Sequence, residues 1–154
     1  NLPVIFFADN PGVLGGSVAE KSGILRHASR MFAMQHRLRV PKLHVTLRKA
    51  FGFGSMVMSM LAFDNQAATF AYPGATMGAM SAAAQGRAAK ADEDVTELLK
   101  QIELDASFNS AGNLGFDELI SPEETRNALL LTLQRAVQAR QEAAAPVART
   151  AITP

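Results

Sequence analysis

Apolar positions in the first half of the chain gather into short runs separated by polar, glycine-rich punctuation. PVIFFAD (Pro3 to Asp9) is continuously apolar and predicts a strand buried on both faces. NPGVLGG follows as a Pro/Gly loop. SVAE then offers Ser17 as an N-cap with Glu20 three residues on, the spacing of a capping box. Val18, Lys21, Leu25, Ala28, Phe32 and Gln35 trace one helical row, with Ile24 and Met31 beside it. Pro41 disfavours helical geometry before it, so the helix is expected to stop near Leu38. In KLHVTLRKA (Lys42 to Ala50), Leu43, Val45 and Leu47 alternate with His44, Thr46 and Arg48, a strand pattern. Strand, helix and strand over this length make a βαβ unit, whose crossover should be right-handed.

GSMVMSML then reads as a helix starting at the glycines, and AATFAYP (Ala67 to Pro73) as a third, shorter strand. From Met77 the sequence turns Ala-rich and helical. DEDVTELLKQIEL (Asp92 to Leu104) carries acidic residues in its first turn, where the helix dipole favours them. SFNSAGNLGFDELI reads as a loop returning to a brief strand. SPEETRNALLLTLQRAVQAR is the clearest helix, with Ser121 as N-cap, Pro122 at N1 and Glu124 closing a capping box. Beyond Arg140 the apolar face is lost, and residues 141–154 are expected to be a frayed tail.

Composition narrows the class. With 154 residues, 48% hydrophobic and 19% charged, the chain is long enough for one packed core. A net charge of +1 supplies no field that would recruit nucleic acid or an anionic membrane. Asp9, Lys21 and Arg48 interrupt every candidate for the ~20-residue apolar run of a membrane span. The opening residues lack the basic region and small-residue cleavage site of a signal peptide. Cysteine is absent, which removes disulfides and thiolate chemistry and fits a cytosolic address. The chain opens on Asn1 directly in a strand-like run, so it is expected to be a piece of a longer polypeptide.

Candidate chemistry is sparse. His27, His36 and His44 have no ligand-type spacing, and no metal site is expected. Ser55, His27 and Asp9 could be written as a triad, but no GxSxG elbow frames Ser55. GVLGGS is neither GxGxxG nor a Walker A motif and is expected to be a loop entering a helix. Met56, Met58 and Met60 read as core filler. The stretch RKAFGFGSMVM (Arg48 to Met58) holds the best signal. A strand stops at a Gly-x-Gly turn and a helix begins, so backbone N–H groups point together and can hold an oxygen that gains negative charge. The local pattern alone fits a binding turn and a plain turn equally.

Taken together, these segments resemble the carboxyltransferase (β) subunit of biotin-dependent acyl-CoA carboxylases, of the propionyl-CoA and acetyl-CoA carboxylase type. An apolar strand is followed by a D-x-PG loop (Asp9, Pro11, Gly12) and an AE-x-x-GI-x-x-H helix (Ala19, Glu20, Gly23, Ile24, His27). A VPK strand entry (Val40, Pro41, Lys42) and an RKA[FY]G turn (Arg48, Lys49, Ala50, Phe51, Gly52) come next. FAYPGATMGAM (Phe70 to Met80) and ISPEETRNALL (Ile120 to Leu130) resemble two later family segments.

The resemblance implies an α/β, crotonase-like fold of stacked β-β-α turns. It implies that residues 1–140 are the C-terminal portion of the second carboxyltransferase domain. The implied reaction moves a carboxyl group from carboxybiotin to the α-carbon of an acyl-CoA. Phe53 and Gly54 would donate backbone N–H groups to the biotin urea oxygen. Gly52, Phe53 and Gly54, with Pro11 and Gly12, would line the biotin site, and Met56 would face the acyl pocket. Implied partners are a biotin carboxylase and a biotin carboxyl-carrier domain, within a homo- or hetero-oligomeric, hexameric ring in the bacterial cytoplasm. The acyl-CoA would sit on the first domain of a neighbouring subunit.

Two departures stand out. Many relatives read YGGAY where this chain reads FGFGS, so Phe53 replaces Gly or Ala and its ring either narrows the pocket or turns outward. Met56 stands where propionyl-type enzymes carry Asp, which points to a different, longer acyl group. Two alternatives remain: another crotonase-like acyl-CoA enzyme such as a biotin-dependent decarboxylase, or a non-catalytic paralogue built into a carboxylase ring. On the sequence, Gly54→Ala should be partly tolerated, whereas Gly54→Val or Gly54→Pro should block the site.

Overall fold

The computed structural model describes residues 2–60 and 65–139. The expected tail, 141–154, lies outside them, as does the far end of the helix expected over GSMVMSML. The elements run β1 (Val4–Asn10), α1 (Ser17–Lys21), α2 (Ile24–Arg37), β2 (Lys42–Phe51), α3 (Gly52–Val57) and β3 (Gln66–Ala71). They continue with β4 (Thr76–Gly78), α4 (Ala82–Ala89), α5 (Glu93–Leu104), α6 (Ala106–Gly112), β5 (Glu118–Leu119) and α7 (Thr125–Gln138).

All five strands form one sheet in the order β1-β2-β3-β5, with β4 also paired to β2. Every pairing is parallel, as βαβ crossovers require. β2 is the axis of the sheet. Its first half pairs β1 and β3, with Leu43 between Ile5 and Ala68 and Val45 between Phe7 and Phe70. Its second half takes up β4, pairing Ala50 with Met77 and Phe51 with Gly78.

The two faces of β2 bury different chemistry. Leu43 and Val45 join Ala68, Phe70, Ile120 and Leu129 in the apolar core, against α7. Such burial stabilises by roughly 1.5–3 kcal/mol for each large aliphatic side chain. Lys42, His44 and Thr46 point the other way and are equally buried, on the side where α3 packs on β2 and α2 packs on α3.

Several expectations change. β1 is not buried on both faces: Ala8 is its one buried residue, and Phe7 is 50% exposed. Among the described residues β1 pairs only β2, so it lies at an edge of the sheet. The helix from Ser17 is two helices, because Gly23 adopts a left-handed conformation (φ 80°) between them. The Ser17 capping box does not form; Gly16 is the cap residue and accepts from Glu20 N–H through its carbonyl. Of the expected helical row, Val18 and Leu25 are exposed, while Gln35 is buried. The segment after Phe70 contains β4 before any helix, and SFNSAG is helical as α6 rather than loop. At α7, Glu124 accepts from the Ser121 N–H and hydroxyl, both at 2.9 Å, so the reciprocal half of the expected box is made. These bonds hold the Glu124 carboxyl below its ordinary range. The regular helix starts one turn later, at Thr125.

Among the described residues no helix is long and apolar enough to cross a membrane. Among them, too, no three His, Asp or Glu side chains gather closely enough to hold a metal ion.

Candidate active site

The Gly-x-Gly turn forms where the sequence places it. Phe51 ends β2 in extended conformation and is the cap residue of α3. Gly52 has φ +58°, and a Cβ on it would lie 2.9 Å from the Ala79 carbonyl oxygen. Both facts exclude an L side chain there. The first N–H groups of a helix have no carbonyl of their own helix to bond. Those of Phe53 and Gly54 therefore stand at the head of α3, fixed by the turn.

Gly54 is required for a second reason. A Cβ there would meet Asn10 Oδ1 at 2.5 Å and the Gly12 backbone carbon at 2.8 Å. The loop after β1 lies directly against this turn, and Asn10 Oδ1 holds it by accepting from Gly12 N–H at 2.7 Å. Pro11 and Gly12 are thus brought to the same place as Gly52, Phe53 and Gly54. The expected partial tolerance of Gly54→Ala is overturned, because a methyl group would have to displace the Gly12 backbone as well as the Asn10 side chain. At the same end of β1, Asp9 accepts from Arg48 Nε and NH2, the closest at 2.8 Å, tying β1 to β2 at the surface.

The Phe53 ring is engaged by an aromatic neighbour. It packs on Phe32 of α2, with ring centroids 5.3 Å apart and planes at 53°. Phe32 in turn meets the His36 ring edge-on at 5.2 Å.

Comparison with known proteins now identifies the architecture. The Carboxyl transferase domain family matches residues 1–151. The chain belongs to this family. It is 34% identical to the methylmalonyl-CoA decarboxylase subunit alpha of Veillonella parvula, over 94% of this chain and 29% of that protein. It is 30% identical to the propionyl-CoA carboxylase carboxyltransferase subunit of Haloferax mediterranei, over 87% of this chain and 28% of that protein. The crystal structure of transcarboxylase 12S, a hexamer with methylmalonyl-coenzyme A bound, superposes with a TM-score of 0.79 at 27% identity. That match covers 98% of this chain and 30% of the other. The chain therefore spans under a third of the length of these relatives, and its fold is that of the carboxyltransferases, as the sequence resemblance implied.

Within this carboxyltransferase domain the paper triad disperses. Ser55 is buried and its hydroxyl donates to the Gly52 carbonyl at 2.8 Å. Asp9 is engaged by Arg48, and His27 is exposed on α2. Gly15 and Gly16 of GVLGGS sit in an exposed loop, whereas Gly12 is half-buried against the Gly54 turn. Met56 is half-buried on α3, two residues past Gly54.

Sequence reasoning missed the far end of α3. The Val57 carbonyl accepts from Gln35 Nε2, the Met58 carbonyl from His44 Nδ1 at 2.7 Å, and the Ser59 carbonyl from Gln66 Nε2 at 3.1 Å. A carbonyl can only accept, so His44 carries its proton on Nδ1, and Nε2 accepts from the Thr46 hydroxyl at 2.8 Å. Burial lowers the His44 pKa below its ordinary 6.5, against a smaller raising effect of the Met58 hydrogen bond. The ring is therefore neutral at neutral pH. The available signal was the alternation itself: polar residues at every second position of a strand with neighbours on both sides.

Proposed function

We propose that this chain forms the biotin-facing part of an acyl-CoA carboxyltransferase active site, as the C-terminal portion of the second domain of a larger subunit. The observation that carries the reading is the Gly52–Phe53–Gly54 turn in a chain matched by the Carboxyl transferase domain over residues 1–151. Biotin, charged on a carrier domain of a partner, supplies the carboxyl group. The residues present fit it: the turn has no Cβ at Gly52 or Gly54, and two backbone donors are fixed at a helix head before any ligand arrives. The N–H groups of Phe53 and Gly54 would hold the urea oxygen, on which bound carboxybiotin would gather negative charge as it gives up its carboxyl group. Pro11 and Gly12 support the turn and border the site. The acyl-CoA lies on the first domain of a neighbouring subunit in a ring, and Met56 contacts its acyl group.

The packing of Phe53 on Phe32 supports the reading in which that ring is turned outward rather than into the biotin site. A decarboxylase remains the second reading, since the 34% identity to a methylmalonyl-CoA decarboxylase subunit is matched by the 34–36% identity to propionyl-CoA carboxylase beta chains. The same donors serve both, because the urea oxygen changes charge in either direction of transfer.

The test uses the full-length subunit assembled with its biotin carboxylase and carrier, assayed over a series of acyl-CoA chain lengths. Carboxylation is expected, and Met56→Asp should shift the preferred chain length. Biotin-dependent loss of carboxyl from malonyl-type thioesters, with no carboxylation, would select the decarboxylase. Replacing Phe53 by phenyllactate removes one N–H while keeping the ring, and should lower transfer about a hundredfold. An unchanged rate would remove Phe53 from the donor pair.

A further inference from the structure

The donors at the head of α3 have to be held within about half an ångström to be useful, yet α3 is a helix of six residues. A helix this short is not stable on propensity alone, so its position is imposed from outside. Its head is pressed against the loop after β1 at Gly54. Its tail ends in three consecutive carbonyls, Val57, Met58 and Ser59, each bonded by a side chain from a different element: Gln35 from α2, His44 from β2 and Gln66 from β3.

We propose that Gln35, His44 and Gln66 are positioning residues, a three-point cradle that sets where α3 places the Phe53 and Gly54 donors. The inference rests on the carboxyl-transfer reading and deepens it. Three donors on three elements fix α3 against sliding and rotation, since either motion breaks at least one bond. The amide groups are committed to this task. Gln66 Oε1 accepts from the Ser59 hydroxyl at 2.9 Å, so its Nε2 is turned toward the Ser59 carbonyl and Thr69. Gln35 Oε1 is buried with no hydrogen-bond partner among the described residues, so the Val57 carbonyl orients that amide. Capping the carbonyls needs only some donor; taking one from each of three elements couples α3 to α2 and to two neighbouring strands of the sheet.

The experiment compares the wild-type holoenzyme with Gln35→Met, Gln66→Met, His44→Leu and His44→Asn. Methionine keeps the length of Gln and removes the donor, and Asn keeps a donor near the His Nδ1 position. The expected result is a kcat lower by about tenfold to a hundredfold in the Met and Leu variants. The KM for acyl-CoA, held mainly by the neighbouring subunit and touched by α3 only at Met56, should change far less than kcat, and His44→Asn should recover most of kcat. Combined with phenyllactate at position 53, Gln66→Met should add less than its own effect, because part of that effect acts through the Phe53 donor. Lower thermal stability with kcat unchanged per folded enzyme, or full additivity with phenyllactate, would overturn the cradle while leaving the function intact. A wild-type enzyme without transfer activity would overturn both. Should His44→Leu fail to assemble, Gln66→Met at the half-buried end of the cradle decides the question.

Discussion

The two faces of β2 are built from adjacent residues and are equally buried, yet they answer to different physics. Toward α7, Leu43 and Val45 contribute area and shape, and any side chain filling the same volume would serve. Toward α3, Lys42, His44 and Thr46 contribute directed bonds, which only certain atoms at certain positions can make. One face holds the domain together. The other connects the sheet to the helix that carries the candidate donors. In a buried strand, then, the polar face is where a link to function should be sought.

The sharpest way to break this contrast is Leu43→Ala. It should destabilise the domain by about 2–5 kcal/mol through lost burial and a cavity, measured by urea unfolding, while kcat per folded enzyme stays near wild type. A kcat loss as large as that of His44→Leu would erase the distinction between the faces. Gly54→Ala comes next: forcing a methyl group onto the Gly12 backbone should cost about 1–3 kcal/mol and abolish transfer. Wild-type stability and rate in Gly54→Ala would show that the loop after β1 yields freely.

A smaller effect follows from His44. Its native pKa lies below 6.5 because burial disfavours the charged ring, so below pH 6.5 the unfolded chain takes up the proton first. Stability should fall as pH drops from 6.5 to the native pKa, by at most about 1.4 kcal/mol per pH unit, and level off below it. His44→Asn should flatten that part of the stability profile. The smallest effect is expected at Arg48→Ala, which removes an exposed pair with Asp9 and should leave the urea midpoint unchanged at physiological salt.

Much of the architecture was legible in local pattern. The Lys42–Ala50 alternation, the stop before Pro41 and the acidic first turn after Asp92 all correspond to observed elements. The Gly-x-Gly turn was legible for a stronger reason, since few backbone geometries need two glycines around one residue. Hydrophobicity misled at β1, where a continuous apolar run lies at an edge, and at Val18 and Leu25, where a helical row faces outward. β4 was hidden because three residues carry too little periodicity, and α6 because its Ser, Asn and Gly residues read locally as loop.

The sequence by itself determined the order of the longer strands and helices, the place of the turn and the family, because these depend on local backbone chemistry and on motif spacing. Only the tertiary structure decided that Gly54 touches the Gly12 backbone, that Phe53 turns to Phe32, and that Gln35, His44 and Gln66 converge on α3. Those facts join residues tens of positions apart, and no local pattern records which polar side chain will meet which carbonyl once the sheet has closed.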